Sequence, residues 1–152
     1  MDVDGTLTDG RIYMGPDGEV FKSFDVRDGY AIANMLPEMG IVPVIITARS
    51  SAIVERRCEE LGITHLYQGV SDKLAKLREV CADMGVGLSE VCYVGDDLND
   101  LECMRAVAIE GGIAACPSNS IEEVRKACNV ITGHSGGNGA VREVAERIIS
   151  LF

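Results

Sequence analysis

Apolar positions recur along this chain in two rhythms. Arg11-Ile12-Tyr13-Met14 and Glu19-Val20-Phe21-Lys22-Ser23-Phe24 are β-rich runs separated by Gly15-Pro16-Asp17-Gly18, the pattern of a hairpin over about 11–25. Val42 to Thr47 is a near-continuous apolar run, as expected of a strand buried on both faces. His65-Leu66-Tyr67, Val91 to Val94, Val107 to Glu110 and Asn129 to Ile131 read as further strands. Helical spacing covers Gly29 to about Met39 with Asp28 as a cap and Pro37 bending or ending it. The same spacing covers Ser50–Leu61 closed by Gly62, Ser71–Met84 closed by Gly85, Asn99–Arg105, Ile121–Ala127 and Gly139–Leu151. Strands alternate with helices from Val42 onward. The expected fold is therefore α/β, a doubly wound, Rossmann-like parallel sheet with helices on both faces and a β-hairpin near its start.

The 152 residues suffice for one domain with a real core, 1–152, and no repeat, linker or low-complexity segment interrupts them. The longest apolar stretch, Ile41 to Ile46, is far too short to span a membrane. No basic-then-apolar leader follows Met1, so a cytoplasmic location is expected. A net charge of −10 disfavours nucleic acid and anionic membrane surfaces as partners, though a divalent cation can still bring in a phosphorylated ligand. The six cysteines (Cys58, Cys81, Cys92, Cys103, Cys116, Cys128) form no C-x-x-C pair, and His65 and His134 stand apart. Buried reduced thiols are expected rather than zinc or disulfides.

Four separated segments carry the candidate chemistry. Asp2-Val3-Asp4-Gly5-Thr6 places two carboxylates before a turn, so that both can converge on one ligand. Thr47 follows an apolar run, Lys73 opens a helix, and Asp96, Asp97 and Asp100 follow another apolar run. All fall at strand ends or helix starts on the edge where open α/β sheets bind ligands. Five crowded carboxylates require a cation, and oxygen ligands in an open polar site suit Mg²⁺. One carboxylate can attack phosphorus while a second moves a proton, and a hydroxyl and an ammonium can hold phosphoryl oxygens. Taken singly, each piece has a plainer reading: a solvated turn, a strand terminus, a surface lysine, a helix cap. Their order is the specific signal. It also argues against a response-regulator receiver, in which the acidic pair comes first and the acceptor Asp stands alone later. Residues 1–4 leave almost no strand ahead of Asp2, where a central strand is expected, so the first strand reads as truncated at its N-terminus.

This ordered set resembles the haloacid dehalogenase superfamily of phosphotransferases across essentially the whole chain, through DVDGT, the Thr of VIITAR, the Lys of SDKL and GDDLND. The resemblance implies Asp2 as nucleophile and Asp4 as general acid/base. It implies Mg²⁺ on the Asp2 carboxylate, the Asp4 backbone carbonyl and Asp96, with Asp97 and Asp100 supporting. Only 36 residues separate Gly10 from Thr47 and only 22 separate Lys73 from Asp96, so no cap domain fits in either interval. The lid must then come from a large substrate or a neighbouring subunit, and the apolar hairpin (Ile12, Tyr13, Met14, Val20, Phe21, Phe24) is a candidate assembly surface or a flap over its own core.

DGRIYMGPDGEVFKSFDVRDGYAI, ITARSSAIVERRCEELGITHLYQG and GGNGAVREV are similar to the capless phosphatases of 3-deoxy-D-manno-octulosonate 8-phosphate, a group tied to lipopolysaccharide synthesis. That likeness implies a phosphorylated sugar-acid substrate and a homotetramer whose neighbouring subunits cover each site. The implied substrate positions are Asp25, Val26, Arg27, Asp28, Gly29, Arg49, Arg57 and Lys73. Arginine suits this role because a guanidinium clamps carboxylate and phosphate bidentately; the plainer reading of Arg57 is a surface helix charge. Ala48 stands where Gly is usual, and Ala33 stands where some relatives carry Arg. Two alternatives remain: a nonulosonate (N-acylneuraminate) 9-phosphate phosphatase, and a non-catalytic oligomerisation domain associated with a sugar-acid cytidylyltransferase. The Gly-rich 135–139 stretch either closes the site or simply precedes the last helix.

Overall fold

The computed structural model describes residues 1–152. Its first regular element is the hairpin, β1 (Tyr13–Gly15) and β2 (Gly18–Phe21), antiparallel and closed by Pro16-Asp17. Tyr13 stacks on Phe21 with ring centroids 4.3 Å apart. Then follow α1 (Val26–Tyr30), a π-helical stretch Ala31–Met35, and α2 (Leu36–Glu38). These three form one continuous helical run. Pro37 has no N–H, and the ladder widens just ahead of it, with Leu36 N–H reaching Ala31 C=O. The cap of this run is Asp25, whose carboxylate accepts from Arg27 N–H, and not Asp28 as the sequence suggested.

The remaining elements alternate: β3 (Val44–Ile46), α3 (Ala52–Leu61), β4 (His65–Tyr67), α4 (Lys73–Met84), β5 (Cys92–Val94), α5 (Leu101–Ile109), β6 (Ile113–Cys116), α6 (Glu122–Ala127), β7 (Val130–Ile131) and α7 (Ala140–Ile149). Short 3₁₀ turns, Leu88–Glu90 and Leu98–Asp100, precede β5 and α5. Gly62 and Gly85 end α3 and α4 in the left-handed conformation that the sequence anticipated for them. The expected strand at Val107–Glu110 is instead the end of α5. Leu101, Met104 and Val107 recur at helical spacing and are buried together, while the true strand β6 starts after the Gly111-Gly112 break. A short apolar run cannot by itself distinguish a buried strand from a buried helical turn.

All sheet pairings among β3 to β7 are parallel, in two groups, β3–β4 and β5–β6–β7. Met1 and Asp2 join them. The Met1 ammonium donates to Val44 C=O, Ile46 N–H donates to Met1 C=O, and Asp2 N–H donates to Val94 C=O. The order across the molecule is thus β4, β3, residues 1–2, β5, β6, β7, and Asp2 emerges between the carboxyl ends of β3 and β5. Behind Met1 the edges of β3 and β5 are unbridged, and an apolar cavity of about 330 Å³ separates them, lined by Val42, Val44, Val91, Cys92, Val144 and Ile148 among others.

Side chains alternate across this sheet with period 2. Ile45 packs with Ile32, Val54 and Val141 under the π-helical stretch, α3 and α7. Ile46 and Tyr93 turn the other way, onto Leu77, Met104 and Val107 under α4 and α5. Helices therefore cover both faces, as the rhythm of the sequence implied. All six cysteines are free thiols, four of them buried. No helix is long and apolar enough to cross a membrane.

Candidate active site

Asp2 leaves the sheet where residues 3–8 coil back on themselves: Thr6, Leu7 and Thr8 all donate their N–H to Val3 C=O. Val3 is driven into the core and anchors this coil. Gly5 permits the coil. Its φ is +92°, and a Cβ there would lie 1.9 Å from Asp96 Oδ2, so only glycine lets the loop approach this carboxylate. Thr6 Oγ1 donates to Asp96 Oδ1 at 3.1 Å.

One cluster forms at Asp2. Carboxylate oxygens of Asp2, Asp96 and Asp100 lie within 4.8 Å of one another. Lys73, brought in at the first turn of α4 behind its Asp72 cap, sits 3.0 Å from Asp2 Oδ1 and 2.8 Å from Asp100 Oδ1. Tyr93 Oη donates to the same Asp100 oxygen at 2.9 Å, and the Asp96 N–H donates to Asp100 Oδ2 at 3.1 Å. Asp100 is thereby fixed from three directions and is completely buried. Burial raises the Asp2 pKa, and the Asp100 charge raises it further against the pull of Lys73. Asp96 is pushed up to about 7, first by burial, then by the Asp100 and Asp2 charges. Lys73 is raised: burial opposes its charge, but Asp2 and Asp100 outweigh it. One ammonium among three carboxylates leaves an excess of negative charge, the setting that a divalent cation relieves.

Thr47 follows β3 directly, buried, with its N–H on Tyr67 C=O and its C=O accepting from Val70 N–H. Ile46, the residue before it, is bonded to Met1, so Thr47 stands at the sheet edge beside Asp2. Asp97 is exposed and caps the Leu98–Asp100 turn by accepting from Leu98 N–H at 2.7 Å.

A second cluster forms at Asp4. Lys22, just past β2, pairs with Asp4 Oδ1 and with Glu19 Oε1, the latter at 2.9 Å, and its side chain is 1% exposed. Arg49 lies 3.8 Å from Asp4 Oδ2 and 3.3 Å from Glu19 Oε1. Ser51 Oγ donates to Glu19 Oε2 at 2.8 Å. The hairpin thus reaches the site through Glu19 and Lys22, which sequence reasoning did not single out. Their only signal was charge within an otherwise apolar hairpin. Tyr93 and Thr6 were missed as well, the first because a buried tyrosine inside a strand reads as core.

The other implied substrate residues gather elsewhere. Asp28 is buried and accepts from Arg142 N–H at 2.8 Å and Gly139 N–H at 3.3 Å, capping α7. Arg27 pairs with Asp25 at 2.7 Å and donates to Asn138 at 3.0 Å. Val26 is exposed, and Gly29 abuts Arg57, where a Cβ would lie 2.4 Å from the guanidinium. Arg57 pairs with Glu60 at 2.9 Å and covers the Phe24 ring. None of these makes a hydrogen bond or ion pair to the two carboxylate clusters. The Gly-rich segment packs behind the Asp2 loop: Gly137 N–H donates to Thr6 C=O, and a Cβ on Gly136 would lie 1.8 Å from Gly5 C=O.

A family model described as haloacid dehalogenase-like hydrolase matches residues 60–144, more than half of the chain. The chain belongs to this family. It is 43% identical over 149 residues to the 3-deoxy-D-manno-octulosonate 8-phosphate phosphatase of Escherichia coli (strain K12), spanning 98% of this chain and 77% of that one. Among solved structures, the hydrolase fold superimposes on the phosphatase of the same name from Moraxella catarrhalis, which was crystallised with magnesium, phosphate and the sugar acid. The TM-score is 0.91 at 45% identity, covering 99% of this chain and 83% of that one. The cobalt-bound Haemophilus influenzae enzyme gives 0.91 at 33% identity, covering 98% and 84%. The fold is the capless α/β arrangement expected from the sequence.

Proposed function

We propose that this chain is a Mg²⁺-dependent phosphatase of 3-deoxy-D-manno-octulosonate 8-phosphate. The observation that carries the reading is the convergence of Asp2, Asp96, Asp100 and Lys73 on one sheet edge, with Asp4 alongside, in a chain 43–45% identical to proteins of that activity. Three carboxylates within 4.8 Å are oxygen donors suited to a hard divalent cation. Asp2 and Asp96 would hold it together with the Asp4 backbone carbonyl, while Asp100 is taken up by Lys73 and Tyr93. When bound, the cation screens the phosphoryl charge and polarises its oxygens.

In the reaction the Asp2 carboxylate attacks phosphorus. An O–P bond forms to Asp2, the ester P–O bond breaks, and the Asp4 carboxyl gives its proton to the leaving alcohol. Water then attacks the acyl phosphate, Asp4 takes back a proton, and the Asp2–phosphorus bond breaks. Lys73 and Thr47 stabilise the equatorial oxygens. Arg49, exposed beside Asp4, is placed to clamp an anionic group of the sugar.

The finer features belong to the same reading. We read residues 1–152 as one folding unit, because Met1 and Asp2 tie both halves of the sheet together. The hairpin leaves Met14, Val20 and Phe21 exposed, which supports an assembly, a homotetramer, in which neighbouring subunits cover each site. Six free thiols fit a cytoplasmic location.

The test is phosphate release with Mg²⁺ from octulosonate 8-phosphate, N-acetylneuraminate 9-phosphate and an aryl phosphate in parallel. The octulosonate ester should be turned over fastest, and Asp2→Asn should cut turnover by about 10³-fold or more. No turnover by a folded protein sinks the reading, and preference for the nine-carbon ester reassigns the substrate.

A further inference from the structure

We infer that Lys22 is a positioning residue for the leaving-group proton: the hairpin delivers its ammonium onto Asp4 and so fixes the carboxyl that protonates the departing alcohol. The inference rests on the phosphatase reading above and deepens it.

Three observations converge. Lys22 is a lysine whose side chain is 1% exposed, an uncommon state that requires paired charge. Both of its partners are carboxylates of the Asp4 side of the site, Asp4 Oδ1 and Glu19 Oε1. Glu19 is itself held by Ser51 Oγ and faces Arg49, so the ammonium has a fixed seat. Nothing else braces the Asp4 side chain as closely, since Arg49 stands 3.8 Å away and is 42% exposed. Asp2, by contrast, needs nothing from the hairpin, because Lys73 serves it from α4.

Chemistry makes the two roles separable. A sugar alkoxide is a poor leaving group and requires a proton as the P–O bond breaks, whereas a nitrophenolate leaves without one. In the step that expels the leaving group, a residue that acts by positioning Asp4 must therefore matter for alkyl esters and little for activated aryl esters. Hydrolysis of the acyl phosphate is common to both, so the comparison is read from kcat/KM, which reports the first step. A residue that merely supports the fold would affect both alike.

Lys22→Met is measured on the sugar-acid ester and on 4-nitrophenyl phosphate, with Mg²⁺. We expect kcat/KM on the alkyl ester to fall about 30- to 100-fold, and kcat/KM on the aryl ester to change less than about 3-fold. Lys22→Arg, which keeps a cation in the seat, should recover part of the alkyl-ester rate. In an Asp4→Asn background, adding Lys22→Met should change the residual alkyl-ester rate by less than about 2-fold, because the two act as one unit. If Lys22→Met does not fold, Glu19→Gln carries the same substrate comparison, since it loosens the ammonium without removing it. Equal losses of kcat/KM on both esters, or an undiminished Lys22→Met effect on top of Asp4→Asn, overturn the inference. A wild-type protein inactive on both esters overturns the phosphatase reading instead, so the two failures are distinguishable.

Discussion

Asp2 and Asp4 stand two residues apart yet answer to different parts of the molecule. Asp2 is inside, 6% exposed in its side chain, and its counter-charge, Lys73, comes from α4, an element packed into the core. Asp4 is 19% exposed, and its counter-charges come from the hairpin and from the loop after β3. The difference follows from the backbone: Asp2 is tied to the sheet through its N–H on Val94 C=O, whereas Asp4 lies in the coil that Thr6, Leu7 and Thr8 close onto Val3 C=O. A nucleophile gains from a rigid, desolvated seat. An acid/base that must meet successive leaving groups and waters sits better at the mouth of the site. In the proposed reaction the chain thus builds one half of its chemistry from its most fixed elements and the other half from a hairpin that exposes apolar residues to solvent.

Breaking the inner half should cost most. Lys73→Met removes the cation between Asp2 and Asp100 and strands both charges in the interior. We expect a loss of about 3–5 kcal/mol in urea unfolding, with turnover abolished. A variant as stable as the parent would mean that the inner cluster is not held by this ion pair. Gly5→Ala attacks the same half through the backbone, because its Cβ would collide with Asp96 at a φ of +92°. A destabilisation of about 2 kcal/mol and weakened Mg²⁺ binding by calorimetry are expected. Unchanged Mg²⁺ affinity would show that Asp96 does not need this close approach.

The outer half should tolerate change in the fold and show it in binding. Arg49→Ala removes a half-exposed cation whose pairs are solvent-screened, so stability should shift by less than about 1 kcal/mol. KM for the sugar-acid ester should rise about 10-fold or more if this guanidinium clamps an anionic group. A fall in thermal stability comparable to that of Lys73→Met would erase the distinction between the halves.

The smallest effect belongs to the support behind the Asp2 loop. Glu143 accepts from Gly133 N–H and pairs with His134 and Arg147, fixing the segment that leads into Gly136 and Gly137. Partial burial works against its charge, but the His134 ring and the Gly133 N–H prevail and hold its pKa down to about 2. Its folded pKa lies below the ordinary glutamate value near 4.5, so its contribution is fully present above that pH and is lost as pH falls toward 2. Glu143→Gln should cost about 1 kcal/mol at pH 7, and the gap from the parent should close in acid. A gap that persists at pH 2.5 would assign the cost to packing instead.

Much of this site was legible along the chain because its members fall where elements end. Thr47 and Asp96 follow apolar runs, Lys73 opens a helix and Asp2 precedes a Gly-Thr turn, and parallel strands bring such ends to one edge. Local chemistry also marked Gly62 and Gly85 as helix stops. Val107–Ile109 misled because a three-residue apolar run fits a strand as well as a helical turn, and only packing against Leu101 and Met104 settles it.

Taken alone, then, the sequence determined the α/β alternation, the absence of room for a cap, and the order of the motif residues, since periodicity, caps and spacing are local properties. Tertiary structure alone decided which charge each carboxylate meets. Lys22 meets Asp4 across 18 residues, Lys73 meets Asp100 across 27, and Asp28 caps α7 across 111 and 114. The physical reason is that a buried carboxylate takes whichever donors the packed elements bring within about 3 Å, and that choice is made by how hairpin, helix and sheet dock rather than by neighbours along the chain.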